Sequence, residues 1–138
     1  MMASAAGLLG VPGLAIYCAT KHAVVGLSDA LRVELKKVGK TGIKITIVCP
    51  SFVKTGMFEG VKPPLLNPWL TPEGMAKKIY NAVRKEKCYV LEPFVVKTVP
   101  FLKGISTTSM LDRTGAILGM HKSMDTWIGR QDQEKYLK

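Results

Sequence analysis

The sequence lacks two features that would place the chain in or across a membrane. It has no run of about 18 consecutive apolar residues, the length that a membrane-spanning helix requires. Its start also lacks the basic and apolar segments of a secretory signal peptide. We therefore expect a cytoplasmic protein, with any membrane link limited to peripheral contact with a membrane or lipid surface.

Cysteine is scarce. The three cysteines, Cys18, Cys49 and Cys88, are odd in number and lack metal-ligand spacing. Such usage is typical of reduced thiols in a cytosolic-type compartment, and it predicts neither a disulfide nor a metal site. For Cys18 we expect a small packed residue rather than a reactive thiol.

Acidic residues are few compared with basic ones. Ten Asp and Glu face 20 Lys and Arg, which gives a formal net charge of +10. The basic residues are dispersed, without a nucleic-acid-binding motif or aromatic platform, so we expect no nucleic-acid partner. For the basic, apolar-patched segment 94–119 two interpretations stay open, a solvated surface and contact with an anionic lipid surface.

Two helical regions have clear signals. Residues 17–37 carry apolar residues at helical spacing, and the helix is expected to end before Gly39. The sequence Thr71-Pro72-Glu73 is typical of a helix start, and this helix is expected to run to about Lys85. Segment 94–119 is interrupted by Pro100 and Gly104, so we expect broken helix there. The predicted core stripe of the first helix consists of Ala23, Val24, Leu27, Ala30, Leu31, Leu35 and Val38.

Two strands are predicted between and after these helices. Ile43–Cys49 is rich in β-branched residues and ends at Pro50, which fits a buried parallel strand. Cys88–Leu91 fits a short final strand, limited by Pro93. In open α/β sheets, ligands bind at the carboxyl ends of the strands, so the residues after Cys49 are candidates for a binding loop.

The sequence Tyr17-Cys-Ala-Thr-Lys21 supplies groups suited to carbonyl chemistry. On a helix, side chains four positions apart lie on one face, so Lys21 can lie beside the phenol of Tyr17. A nearby ammonium favours a phenolate over a phenol, which suits a general acid or base near neutral pH. Ser4, 13 positions before Tyr17, can hydrogen-bond the same substrate oxygen. Together the three side chains predict proton transfer at a carbonyl or alcohol oxygen.

These residues and their surroundings resemble the short-chain dehydrogenase/reductase family. The resemblance is carried by Ser4–Gly7, Tyr17–Ser28 and Ile43–Thr55, and it extends over nearly the whole chain. The tail Met120–Arg130 resembles the branch that holds retinol dehydrogenases and 17-beta-hydroxysteroid dehydrogenases. The implied activity is interconversion of an alcohol and a carbonyl with NAD or NADP, between which the sequence does not choose.

The resemblance also implies roles for individual residues. Ser4 would orient the carbonyl, Tyr17 would donate or accept the proton, and Lys21 would assist Tyr17 and hold the nicotinamide ribose. The loop after the strand would contact the cofactor through Pro50, Val53 and Thr55. Ser51 stands where the family usually has glycine.

The implied fold is α/β, the C-terminal portion of a Rossmann-like doubly wound parallel sheet. A dinucleotide-binding fold also needs a Gly-rich turn between its first strand and helix, and no such motif occurs in the sequence. The chain therefore resembles the C-terminal half of such an enzyme, with the N-terminal half absent. We expect residues 1–92 to form part of the catalytic domain and residues 93–138 a helical extension of it. In the full-length form the resemblance implies a homodimer, with the helix over 17–37 packed against its counterpart.

Residues 56–70 contain too many prolines and glycines for a regular element. They are expected to form a substrate loop that lines a pocket for an apolar molecule such as a retinoid, steroid or fatty alcohol, although ordinary loop anchoring explains the same residues. The apolar side chains concerned are Met57, Phe58, Leu65, Leu66 and Trp69.

Two functions stay open at this point. In the first, the chain is part of an NAD(P)-dependent oxidoreductase. In the second, the 138-residue chain is catalytically inert and acts as an interaction or peripheral-membrane fragment through its long helix and basic tail. The first explains the residues quoted above, and the second explains the missing Gly-rich motif.

Overall fold

A computed structural model describes residues 1–129, so Arg130 of the tail motif and the end of the predicted helical extension lie outside the described residues. Helices and short strands follow one another along the chain. The elements are α1 (Ala15–Lys37), β1 (Ile47–Pro50), α2 (Pro72–Arg84), β2 (Tyr89–Glu92), α3 (Phe94–Ile105) and α4 (Thr108–Ile117), with single 3₁₀ turns at Ala5–Gly7 and Met120–Lys122.

The sheet is parallel and has β1 at its centre. Val48 of β1 pairs with Val90 of β2 on one side and bridges to Met2 on the other. Every residue of β1 is buried, as expected for a central parallel strand. The structure confirms the predicted α/β class and is consistent with the C-terminal portion of a Rossmann-like parallel sheet.

The first strand is shorter than its β-branched sequence predicts. It begins at Ile47 rather than Ile43, and Ile43 is 57% exposed. Ladder pairing starts where the Ile47 amide donates to the Cys88 carbonyl at 2.7 Å, and no partner strand faces the preceding residues within the described chain. Pairing with β2, rather than local propensity, therefore sets the strand's start.

Helix α1 begins two residues before the prediction and ends as predicted. At its end Gly39 has a φ of 73°, and the Lys40 amide donates to the Leu35 carbonyl at 2.8 Å. These features form a Schellman motif, in which glycine takes the left-handed conformation.

The predicted core stripe of α1 is only partly correct. Val24, Leu31 and Leu35 are half-buried, whereas the stripe's other members, Ala23, Leu27, Ala30 and Val38, are exposed. The fully buried position is Ser28, whose hydroxyl donates to the Val24 carbonyl at 2.6 Å. Because that bond satisfies the hydroxyl, a polar residue can occupy the core face, a possibility that apolar periodicity does not reveal.

The later helices follow the predicted signals. The Thr71 side chain accepts the Gly74 amide at 3.2 Å, and Pro72 opens α2. The expected break in segment 94–119 occurs between α3 and α4, at Ser106 and Thr107, while Pro100 lies inside α3. Among residues 1–129, no helix is both long and apolar enough to cross a membrane. The division at residues 92 and 93 stays a prediction.

Candidate active site

Ser4 lies at the carboxyl end of the segment that bridges to β1. It is 8% exposed, and its hydroxyl caps the first 3₁₀ turn by accepting the Ala6 amide at 3.2 Å. The same hydroxyl donates to the Pro50 carbonyl at 3.3 Å. Ser4 is therefore held at the end of the sheet where parallel α/β folds bind ligands.

Tyr17 and Lys21 lie one turn apart on α1, as the spacing predicts. The Lys21 Nζ is 5.4 Å from the centroid of the Tyr17 ring, and it donates to the Met2 carbonyl at 3.3 Å. The Tyr17 ring is half-buried and packs against the cluster that contains Phe52 and Met124. Packing and a backbone contact thus hold the phenol and the ammonium beside each other.

The cofactor-loop candidates follow β1 directly. Pro50 is the last residue of β1, and Val53 bridges to Leu70. The Thr55 amide donates to the Val53 carbonyl at 2.8 Å, and the Thr55 side chain is exposed. These residues share the carboxyl end of β1 with Ser4. Hydroxyl and ammonium groups are the donors that ribose and carboxamide oxygens require, so Thr55, Tyr17 and Lys21 fit the nicotinamide end of a dinucleotide.

A cavity of about 320 Å³ connects the catalytic candidates with the C-terminal helices. Ser4 and Tyr17 form part of its wall, whereas Lys21, Pro50, Val53 and Thr55 do not. Most of the wall is apolar, with Phe52, Val99 and Leu111 among its residues. The arrangement brings the side chains of Ser4 and Tyr17 to one mainly apolar cavity, with the Lys21 ammonium 5.4 Å from the Tyr17 ring centroid.

The predicted substrate loop contributes only two of its five expected apolar side chains to the cavity. Phe58 and Leu65 line it, but Met57, Leu66 and Trp69 do not. The Trp69 ring lies 5.8 Å from that of Phe52, so it anchors the loop to the core. Helices α3 and α4 supply much of the remaining wall, and their contribution could not be recognised from the broken helical pattern.

Two polar residues of the cavity wall were missed by the sequence analysis. Asn67 Nδ2 donates to Ser51 Oγ at 2.7 Å, and both residues line the cavity. No signal in the loop sequence distinguishes Asn67 from an ordinary turn residue. Ser51 was identified only as a departure from glycine.

The cysteines near the site are packed groups. Burial raises the pKa of the Cys49 thiol to about 11, so this thiol stays neutral at physiological pH. The Cys18 sulfur accepts the Val11 amide at 3.3 Å within the core. All three cysteines are free, and no cluster of potential metal ligands occurs in the described part of the chain.

Burial also raises the pKa of Tyr89, and the neighbouring Asp29 carboxylate adds to this shift. The Tyr89 hydroxyl donates to Asp29 Oδ2 at 2.5 Å and ties β2 to α1. Tyr89 therefore stays a neutral hydrogen-bond donor, and its role is to join β2 to α1.

Gly7 allows the loop that carries Ser4 to approach α1. A Cβ at this position would lie 2.6 Å from the Lys21 carbonyl oxygen. We expect Gly7→Ala to cost about 1–3 kcal/mol of unfolding free energy and to disturb Ser4 relative to Tyr17, because backbone must shift to relieve the contact. Urea unfolding measures the loss. Gly10→Ala is the control, since a Cβ there meets nothing within 4 Å, and equal stability of the two variants would contradict this explanation.

Comparison with known proteins identifies a family that this chain resembles in sequence. Residues 1–65 match the model of the short chain dehydrogenase family. The chain is 43% identical over 132 residues to short-chain dehydrogenase/reductase family 16C member 6 of Bos taurus. The aligned region covers 94% of this chain and 42% of the relative. It is 41% identical over 138 residues to epidermal retinol dehydrogenase 2 of Homo sapiens, covering 99% and 44% respectively.

A further relative is retinol dehydrogenase 10 of Homo sapiens, 35% identical over 137 residues that make up 96% of this chain and 40% of the relative. The chain thus spans less than half the length of each of these three relatives.

Proposed function

Since residues 1–65 belong to the short-chain dehydrogenase/reductase family, we propose that the chain forms part of an NAD(P)-dependent oxidoreductase that interconverts an alcohol and a carbonyl. Membership of this family confirms the resemblance carried by Ser4–Gly7, Tyr17–Ser28 and Ile43–Thr55. The observation that carries the proposal is the convergence of Ser4 and Tyr17 on one cavity, with the Lys21 ammonium 5.4 Å from the Tyr17 ring.

In the proposed reaction, Ser4 and Tyr17 act on the substrate oxygen. The Ser4 hydroxyl turns from the Pro50 carbonyl to hydrogen-bond that oxygen, and the Tyr17 hydroxyl donates the proton during reduction or accepts it during oxidation. The Lys21 ammonium stabilises the negative charge that develops on the phenol oxygen. When bound, the nicotinamide supplies or accepts the hydride, and Tyr17, Lys21 and Thr55 would hold its ribose and carboxamide.

The proposed substrate is an apolar alcohol, such as a retinoid, a steroid or a fatty alcohol. The cavity wall is mainly apolar, and its volume of about 320 Å³ falls within the range of small-molecule sites. Two of the relatives carry retinol dehydrogenase in their names. Phe58 and Leu65 add apolar side chains to this wall, which favours a substrate with a hydrocarbon part.

A second candidate function is peripheral attachment of a catalytically inert chain to an anionic lipid surface. It is favoured by the exposed apolar side chains of α3, where Phe94, Phe101 and Ile105 are 66–73% exposed, with Lys97 and Lys103 on the same helix. A basic and apolar helix of this kind suits a membrane interface. For the full-length form we also propose a homodimer in which α1 packs against its counterpart, and a cytoplasmic location.

Turnover separates these two functions. The natural polypeptide that carries residues 1–138 is incubated with all-trans-retinol and either NAD or NADP, and absorbance at 340 nm is followed. The proposed enzyme forms reduced nicotinamide with one cofactor in preference to the other. Absence of reduced nicotinamide with retinol, a 17-hydroxysteroid and a fatty alcohol, combined with binding to anionic vesicles, would favour the inert lipid-surface protein.

A further inference from the structure

The hydrogen bond between Asn67 and Ser51 joins the substrate loop to the end of β1. Asn67 Nδ2 donates to Ser51 Oγ at 2.7 Å, across 16 positions of sequence. Both side chains line the cavity that also has Ser4 and Tyr17 in its wall. The proposed proton transfer does not use this bond, so its place in the site needs a separate explanation.

Ser51 provides a fixed support for this bond. Its amide donates to the Glu92 carbonyl at 2.8 Å, which ties it to the end of β2. The preceding residue, Pro50, accepts the Ser4 hydroxyl at 3.3 Å. Ser51 therefore belongs to the same rigid end of the sheet as the serine that orients the substrate oxygen.

Asn67 controls a part of the loop that forms the cavity wall. The backbone amide of Asn67 donates to the Pro64 carbonyl at 3.1 Å and closes a turn around Leu65 and Leu66. Leu65 lines the cavity, whereas Leu66 has a φ of 65° and is 71% exposed. The turn has a second support, because the Leu65 amide donates to the Leu118 carbonyl at 2.8 Å. Asn67 thus supports the side of the turn that faces β1, and with it the Leu65 side chain in the cavity wall.

The side-chain amide of Asn67 also has one atom without a hydrogen-bond partner among the described residues. In the described residues, Asn67 Oδ1 is buried and has no hydrogen-bond partner. A buried unpaired acceptor lowers stability, and the turn itself does not require this side chain, because the backbone amide of Asn67 closes it. An unsatisfied buried polar atom in a native structure calls for a specific explanation, and this one belongs to a residue of the cavity wall.

We propose that Asn67 is a positioning residue that, through Ser51, holds the Leu65 turn against the cavity and sets how tightly an apolar alcohol is bound. This inference rests on the proposed function, since it concerns the substrate of the same site. A glycine at position 51 has no side chain to accept the bond, so the serine of this chain makes the connection possible.

The test is a double-mutant cycle in the natural polypeptide that carries residues 1–138. The variants are Asn67→Ala, Ser51→Ala and the combination of both, and the dissociation constant of all-trans-retinol is measured by quenching of tryptophan fluorescence. Each single variant is expected to weaken binding about tenfold, and the double variant no further, because either change removes the same hydrogen bond. Ser51→Thr, which keeps the hydroxyl, stays within about twofold of wild type.

Asn81→Ala is the matched control, because Asn81 is an exposed asparagine on α2, outside this cavity. It is expected to leave retinol binding unchanged. Additive losses in the double variant, or single variants that bind like wild type, would overturn the positioning role while leaving the proposed function intact.

Amide hydrogen exchange of residues 56–70 gives a readout that does not depend on a ligand. Removal of the Asn67 side chain is expected to speed exchange about tenfold in this segment, with no change in α2. If wild type fails to bind retinol, the proposed substrate class is contradicted. Amide hydrogen exchange is then the measurement that tests whether the Asn67–Ser51 hydrogen bond holds the loop. Unchanged exchange in both Asn67→Ala and Ser51→Ala would overturn the connection.

Discussion

Replacement of Tyr17 by phenylalanine is expected to lower kcat by about a hundredfold to ten-thousandfold, the range that general acid–base catalysis contributes. The change removes one oxygen atom and leaves the aromatic ring in its packed position beside Phe52 and Met124. Because Lys21 and Thr55 still hold the cofactor when the Tyr17 hydroxyl is removed, the dissociation constant for NADH or NADPH should change by less than about threefold. Steady-state turnover and a nicotinamide fluorescence titration measure the two quantities.

Tyr80 provides a control with similar local geometry. It lies on α2 with the Arg84 guanidinium 5.8 Å from its ring centroid, but its ring is 62% exposed and lies outside the cavity. Tyr80→Phe should turn over like wild type. Near-normal kcat in Tyr17→Phe would contradict the assignment of Tyr17 as the proton-transfer residue.

Replacement of Lys21 by methionine is expected to damage both catalysis and cofactor binding. The Lys21 ammonium lies beside the Tyr17 ring and donates to the Met2 carbonyl, so its loss removes a charge from the site and one tie between α1 and the sheet. We expect kcat to fall about a hundredfold and the dissociation constant for the nicotinamide cofactor to rise about tenfold. Methionine keeps most of the side chain's length, which limits the packing change.

Lys77→Met on α2 controls for the loss of one positive charge, because Lys77 is exposed and lies outside the cavity. It should change neither quantity. If Lys21→Met lowered kcat without weakening cofactor binding, the proposed contact between Lys21 and the ribose would be wrong, while assistance to Tyr17 would stand.

Local signals predicted those parts of the fold that local interactions determine. Thr71 and Pro72 fix the start of α2 through a side-chain cap and a preset backbone angle, and Gly39 fixes the end of α1. The start of β1 was wrong by four residues because its pairing depends on β2, about 40 positions later. Burial along α1 depends similarly on what packs against the helix, which explains the unexpected core position of Ser28.

The residues of the candidate site also divide into those that local spacing predicts and those that depend on long-range contacts. The pair Tyr17 and Lys21 could be predicted because both side chains lie on one helix and their spacing alone brings them together. Ser4 needed a longer inference, and the structure places it in the same cavity wall as Tyr17. Asn67 and the walls supplied by α3 and α4 could not be predicted, because their places in the cavity depend on contacts between segments far apart in sequence. The catalytic and cofactor roles stay predictions.

The central claim is that the substrate carbon exchanges hydride with a nicotinamide while Tyr17 moves the proton. The most direct test uses all-trans-retinol with deuterium at the carbinol carbon, oxidised by the natural polypeptide that carries residues 1–138, with the recovered nicotinamide analysed by mass spectrometry. We expect reduced nicotinamide that carries one deuterium, formed by wild type and almost absent with Tyr17→Phe. Oxidised product without deuterium in the nicotinamide, or equal transfer by both proteins, would contradict it.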